Sequence, residues 1–313
     1  MANHLYLGID TSSYTASVAV LDGAGALLWD RRRVLAVAQG EKGLRQSEAV
    51  FQHIKSLPGL IPDHHMLQHV VRMAASVRPR NVSGSYMPVF LAGTGYARVM
   101  SQSLDVPLLE CSHQEGHIAA GLWSANWQPQ HPFLAVHLSG GTTEILDVKW
   151  GIRPEIEVIG ATRDINAGQL VDRVGVALGL KFPAGPQLEQ LAASSRGQLR
   201  LPCWSQGCDM SFSGPLTAAL RMIGSESGAE IARAAENCVA ETLSRAIICA
   251  RERTGYNQLL LVGGVIANSR IRQVLQQRLA TSPVGLQLHF ASRQAAADNA
   301  IGLAALARQA DCV

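Results

Sequence analysis

The sequence predicts an α/β protein made of two similar domains. Three observations carry this. Each half of the chain opens with short apolar runs joined by small polar turns, then passes into alternating strands and helices. The first strand of each half ends in a turn of small residues, Asp10-Thr11-Ser12-Ser13 in one and Ser139-Gly140-Gly141-Thr142-Thr143 in the other. Finally, 313 residues with 47% hydrophobic content supply enough apolar surface for two cores.

The elements follow in order. Leu5 to Ile9, Ala16 to Leu21 and Ala26 to Trp29 read as a meander of three strands. Helical spacing follows at Ala49, Phe51 and Ile54, and continues beyond Pro62 at His69, Val70, Met73 and Ala74. Val77 to Pro88 holds Pro79 and Gly84 and reads as loop. Val89 to Ala92 reads as a strand, and Tyr96 to Leu104 and Ser112 to Trp123 as helices. Trp123 to Pro132 is the expected joint between domains. Strands then return at Phe133–Leu138, Glu144–Val148 and Glu155–Ile159. Helices are expected near Gly168–Ala177, Pro186–Ala193, Pro215–Met222, Ala229–Arg253, Ser269–Leu279 and Ala296–Arg308, with strands at Gln258–Val262 and Gln287–Phe290. A cleft between the two domains is the expected site.

Composition excludes several classes. A disordered or fibrous chain would not combine 47% hydrophobic with 16% charged residues. No window approaches ~18 uninterrupted apolar residues, so no membrane span is expected. Met1-Ala2-Asn3-His4-Leu5 has no basic region leading into an apolar stretch, so a cytoplasmic protein is expected. The net charge of +3 admits a nucleic-acid partner without arguing for one. Six cysteines in a chain this long are not a disulfide framework. Cys238 and Cys249 fall in an expected helix as buried thiols, while Cys203 and Cys208 have metal-like spacing but no second pair nearby in sequence.

Three turns have the chemistry for phosphate or sugar contact: Gly8 to Ser13 with Thr11 and Ser12, Ser139 to Thr143, and Gly263-Gly264-Val265-Ile266-Ala267-Asn268. Small residues let backbone N–H groups approach an anion, and hydroxyls add donors. Each is also an acceptable ordinary tight turn. No GxxxxGK[ST] P-loop is present. His113 and His117 lie four residues apart in a predicted helix, so both imidazoles share one face and can reach one ion. Two solvated histidines are the alternative. A third ligand must come from elsewhere: Asp298, otherwise a helix cap, or His137, otherwise a buried core histidine.

Taken together, these motifs resemble the TsaD/Gcp family, once labelled O-sialoglycoprotein endopeptidases and now understood as tRNA threonylcarbamoyladenosine transferases. Leu7-Gly8-Ile9-Asp10-Thr11-Ser12 is similar to the family's LGIETS, Ser112 to His117 to its histidine motif, and Ser139 to Thr143 to its SGG turn. Gly168 to Arg173, Leu178-Gly179-Leu180 and Pro183 to Pro186 resemble GEAFDK…LGL…PGGP. Met210 to Gly214 resembles FSFSG, Gly263 to Asn268 resembles GGVAAN, and Ala297 to Ala300 resembles TDNA.

The resemblance implies the actin-like ATPase (ASKHA) fold, with two ribonuclease-H-like domains around a central cleft. The lobes would be residues 1–128, completed by the helix at 295–310, and 129–294. It implies one divalent metal, iron or zinc, on His113, His117 and Asp298, with His137 where some members place a metal-binding Tyr. It implies that Asp172, Gly185, Asn268 and the turn Leu138 to Thr142 contact an adenine nucleotide: ATP, AMP or a carbamoyl-adenylate. The expected partners are tRNA and TsaB-like and TsaE-like proteins, with no membrane.

The chain departs from the family's pattern at several positions. Where members continue ETS with Cys-Asp-Glu-Thr, this chain has Ser13-Tyr14-Thr15-Ala16, so both acids are gone. Thr142, Gln169 and Arg173 replace the usual His or Asn, Glu and Lys. These changes describe a divergent paralogue. Transfer to tRNA adenosine is the leading reading. The rivals are a non-catalytic metal- and nucleotide-binding scaffold, and carbamoyl transfer to another acceptor. Proteolysis is disfavoured, because no nucleophile–base set stands out. A tRNA surface would need bases such as Arg31-Arg32-Arg33, Lys42, Arg45, Arg78 and Arg80, each of which also suits plain solvated surface.

Overall fold

A computed structural model describes residues 4–12, 14–37, 44–281, 284–297 and 299–311. Asp298, Ser13, Lys42 and Cys312 lie outside the described residues. Two compact units form: Met1–Trp127 with Gly151–Pro154 and Asp298–Val313, and Gln128–Trp150 with Glu155–Ala297.

In the first unit, β1 (Leu5–Thr11), β2 (Thr15–Asp22) and β3 (Leu27–Val34) form the meander. The short helices α1 (Gln46–Ser56) and α2 (His64–Leu67) lead into β4 (Val70–Arg78). Then come α3 (Phe90–Leu104), β5 (Leu108–Ser112) and α4 (His113–Ser124). The sheet order is β3-β2-β1-β4-β5, with the meander antiparallel and β1, β4 and β5 parallel.

The second unit repeats this plan. Its meander is β6 (Phe133–Leu138), β7 (Thr143–Lys149) and β8 (Glu155–Ala161). Helices α5 (Ala167–Ala177) and α6 (Gly185–Ala192) follow, then the hairpin β9 (Trp204–Gln206) and β10 (Asp209–Ser211). Next are α7 (Ser213–Met222), the long α8 (Gly228–Thr254), β11 (Gln258–Val262), α9 (Ser269–Leu279), β12 (Gln287–Phe290) and α10 (Arg293–Ala296). The order β8-β7-β6-β11-β12 carries the same pattern of antiparallel meander and two parallel strands. The repeat expected from the sequence is therefore a repeat of sheet topology. Its core lies where β6, β7 and β11 meet α5 and α8, around Leu134, Val136, Leu170, Val239 and Leu261.

The chain closes with α11 (Ile301–Gln309), which joins the first unit and packs on β1 and α4. The crossing is backbone to backbone: a side chain at Gly302 would collide with the Gly116 carbonyl, so glycine is required there. This contact fixes α4 against the sheet. No helix among the described residues is long and apolar enough to cross a membrane.

Three expectations on local structure are corrected. Residues 70–78 are strand, not helix, and Val89 caps a helix that begins at Phe90, not a strand. The expected single helix over 296–308 is two, α10 and α11, with Ala300 capping the second.

Candidate metal and nucleotide sites

In the first unit the histidine pair sits at the start of α4. Ser112 caps this helix: its hydroxyl accepts from Glu115 N at 3.2 Å, and the Glu115 carboxylate returns to Ser112 N. Capping at that point sets the helix phase, so His113 and His117 face the same way. Their Nε2 atoms stand 3.0 Å apart. At that separation one ring N–H can bond the other ring, or both lone pairs can converge on one cation, since two cis ligands at about 2.0–2.1 Å from an ion lie about 3 Å apart.

The sequence reading gave no role to Asp10, which turns out to orient the pair. Its carboxylate is fully buried at the end of β1, and Oδ1 meets His113 Nδ1 at 2.9 Å and the Ser76 hydroxyl at 2.5 Å. This is a carboxylate–imidazole arrangement that fixes the tautomer and points Nε2 outward. Asp10 Oδ2 is buried and has no hydrogen bond among the described residues, so a nearby cation or its bound water would satisfy it. The donor set therefore fits a divalent metal. Among the described residues no third His, Cys, Asp or Glu completes a metal group, and Asp298 lies outside them. His137 belongs to the second unit, buried on β6 between Glu144 of β7 and Val262 of β11.

The turn after β1 is held from inside. The Thr11 hydroxyl donates to the Val89 carbonyl at 3.0 Å and accepts from Gly93 N at 3.1 Å, which anchors α3. The Ser12 amide donates to the Thr15 carbonyl at 3.2 Å, and the Ser12 carbonyl lies 2.7 Å from His53 Nε2. His53 is fully buried on α1, and burial lowers its pKa below the ordinary 6.5. The folded state therefore binds its proton less readily than the unfolded chain does. Above pH 6.5 this costs nothing; as pH falls below 6.5 stability is lost, until the lowered pKa is passed. We expect Tm to be flat at neutral pH and to decline below that point, with a shallower decline in His53→Gln, read by thermal melts across pH.

The second unit assembles the other expected residues. The SGG turn closes through Ser139 N to the Thr142 carbonyl at 2.8 Å and Gly141 N to the Ser139 hydroxyl at 3.3 Å, leaving Gly140 and Gly141 exposed at its tip. Thr143 Oγ1 accepts Ala167 N at 2.9 Å and so seats α5 behind the turn. Gly263 adopts φ +100°, and a side chain there would collide with the Leu138 carbonyl; the GGV turn and the SGG turn are thus brought together by a residue that must be glycine.

Asp172 on α5 accepts Ala184 N at 2.8 Å and the amide of Gly185, which starts α6. Burial raises its pKa, with the two amides opposing. Asn268 serves the fold: its Oδ1 accepts from Ile271 N at 2.9 Å as the cap of α9, and its Nδ2 donates to Glu236 at 2.7 Å. Glu236, missed in the sequence, is fully buried on α8 and also pairs with Arg233 at 2.6 Å. Beside Asn268 opens a cavity of about 540 Å³ lined by Glu189, Arg233, Ser269, Arg270 and Gln273. Its size suits a nucleotide-sized ligand.

Of the basic residues, Arg31, Arg32 and Arg33 lie on the edge strand β3. Arg31 stacks over Trp29 and Arg32 pairs with Asp30.

Comparison with known proteins bears on both sites. The profile of the TsaD family, tRNA N6-adenosine threonylcarbamoyltransferase, matches residues 67–302. A tRNA N6-adenosine threonylcarbamoyltransferase of Parasynechococcus marenigrum is 35% identical over 82% of this chain and 75% of its own length. One from Thermus thermophilus is 33% identical over 96% and 92%. Among solved structures, HypF of T. kodakarensis superposes with a TM-score of 0.62 at 15% identity, over 98% of this chain and 48% of its own. Component A of Acidaminococcus fermentans (R)-2-hydroxyglutaryl-CoA dehydratase gives 0.58 at 16% over 99% of both chains. A ROK family glucokinase from Streptomyces griseus, in complex with glucose and AMPPNP, gives 0.55 at 13% over 97% and 99%. Such structural likeness speaks for the fold alone, and the fold is that of the actin-like ATPases. The chain belongs to the TsaD family of tRNA N6-adenosine threonylcarbamoyltransferases.

Proposed function

We propose that this protein transfers a threonylcarbamoyl group from an adenylate to the N6 amine of a tRNA adenosine, with release of AMP. Membership of the family supports the reaction in general. The observation that carries the metal-dependent form of it is the pair of imidazoles 3.0 Å apart, aligned by a buried carboxylate. His113 and His117 would hold one divalent ion, iron or zinc, with Asp298 as the further donor expected from the resemblance. When bound, that ion supplies Lewis-acid polarisation of the threonylcarbamoyl group.

The chain's own residues do the rest. The exposed amides at the tip of the SGG turn, with those of Gly263 and Gly264, hold the α-phosphate and offset charge that develops on the leaving AMP. Asp172 accepts from ribose hydroxyls through the carboxylate that Ala184 and Gly185 already fix in place. The cavity beside Asn268 receives the adenine, and Glu236 and Arg233 hold its wall. No general base is assigned, because Tyr14 and Thr15 stand where relatives of the family pattern carry acids. Arg31 and Arg33 are offered as tRNA contacts, and TsaB-like and TsaE-like proteins as partners.

The test supplies the purified protein with threonylcarbamoyl-adenylate and unmodified tRNA and digests the tRNA to nucleosides. N6-threonylcarbamoyladenosine should appear, and should vanish with His117→Ala. Metal and nucleotide binding without any modified nucleoside would overturn the transfer and leave the scaffold reading.

A further inference from the structure

The four described cysteines of the second unit form two facing pairs, one member of each on α8 and the other at the β9–β10 hairpin. Cys238 and Cys249 lie eleven residues apart on α8, so they share a face about 16 Å apart along the axis. Cys203 lies just ahead of strand β9 and Cys208 in the turn between β9 and β10, so the two sit near opposite ends of β9. β9 packs on α8, which sets each of these cysteines beside one on the helix. Cys208 Sγ stands 3.7 Å from Cys249 Sγ, and Cys203 Sγ lies 3.8 Å from the Cys238 carbonyl while Cys238 Sγ reaches the Pro202 carbonyl at 3.3 Å. The rungs are too far apart to share one metal ion, which removes the reading of Cys203 and Cys208 as half of a metal site. All four are free thiols.

We propose that this ladder is a redox modification site: a peroxide oxidises Cys203 with Cys238 and Cys208 with Cys249 to two disulfides that staple the β9–β10 hairpin onto α8. Cys203 is only half-buried, and the neighbouring Cys238 draws its pKa down to about 7, so it is the first rung's nucleophile. Its thiolate attacks one peroxide oxygen, the O–O bond breaks, and hydroxide leaves as water, giving the sulfenic acid. The Cys238 sulfur then displaces the hydroxyl, its proton departing in a second water. Two thiols lose two electrons and one peroxide becomes two waters. Half-buried Cys249 starts the second rung in the same way with Cys208. Sulfurs 3.7 Å apart close to about 2.05 Å by side-chain rotation.

The staple has a local consequence. β10 ends at Ser211, and the Ser211 and Ser213 hydroxyls with the Phe212 and Ser213 amides all donate to Asp164 ahead of α5. Closing the ladder restrains that segment and does not touch the histidine pair or the two glycine turns.

The test uses the full chain, reduced and then treated with hydrogen peroxide, alkylated and digested with trypsin without reductant. Cleavage at arginine leaves Cys203 and Cys208 together in peptide 201–221, Cys238 in 234–245 and Cys249 in 246–251. The expected product is 201–221 joined to both others, four hydrogens lighter than the reduced sum and released by dithiothreitol. Cys203→Ser should lose only the link to 234–245, and Cys208→Ser only the link to 246–251. Tm of the oxidised chain should rise by roughly 5 °C or more. A bond between Cys203 and Cys208, or sulfinic acid at Cys203 with no cross-link, would overturn the proposal.

Discussion

His113→Ala is expected to abolish retention of a stoichiometric divalent metal through dialysis, and Asp10→Asn to weaken that retention by roughly 10- to 100-fold. The two effects differ because the residues act at different distances from the ion. His113 supplies one of two nitrogens 3.0 Å apart, and the single imidazole left without it cannot chelate. Asp10 acts through His113. It holds the proton on Nδ1 of His113 and raises the basicity of Nε2, and an amide in its place keeps the shape while removing the charge. Asp10 is fully buried, so truncating it to Ala would leave the Ser76 hydroxyl and the His113 ring without their acceptor and confuse metal loss with unfolding. The isosteric change avoids this. Elemental analysis after dialysis, beside a thermal melt of each variant, reads both quantities. Unchanged metal content in His113→Ala would remove the histidine pair from the metal site.

Much of this frame was legible because it rests on local patterns. The capping box Ser112–Glu115 and the four-residue spacing place two histidines on one helix face without any tertiary knowledge. The repeated strand–turn–strand openings announce two copies of one topology. What was illegible depends on pairing across the chain. Residues 70–78 are an inner strand between β1 and β5, buried on both faces, so Val70, Met73, Ala74 and Ala75 show no alternation and pass for one side of a helix. The hairpin at 204–211 is too short to carry a period. Asp10 was visible inside its motif but not its partners, since Ser76 reaches it only through parallel pairing of β1 with β4. Glu236 and His53 each stand among several polar residues on their helices, and no sequence pattern separates the buried one from its surface neighbours.

The two glycines that follow β11 should respond in opposite ways to the same substitution. Gly263→Ala places a methyl group against the Leu138 carbonyl, in a backbone conformation of φ +100° that alanine resists. Neither fault can relax alone. The carbonyl belongs to β6, the central strand of its sheet, and moving it breaks the pairing of Leu138 with Thr143 that closes the SGG turn. The expected cost is about 3 kcal/mol or more, seen as a fall in Tm of roughly 6–12 °C. Gly264→Ala meets no atom within 4 Å and needs no unusual backbone angle, so its Tm should stay within about 1–2 °C of the parent. If backbone at this turn lies against the nucleotide, however, the added methyl at exposed Gly264 occupies ligand space, and affinity for an adenine nucleotide should fall by roughly tenfold or more while the fold is untouched. Melting and nucleotide titration on the same two proteins therefore separate a glycine kept for folding from one kept for binding. Parent-like affinity in Gly264→Ala would move the phosphate away from this turn.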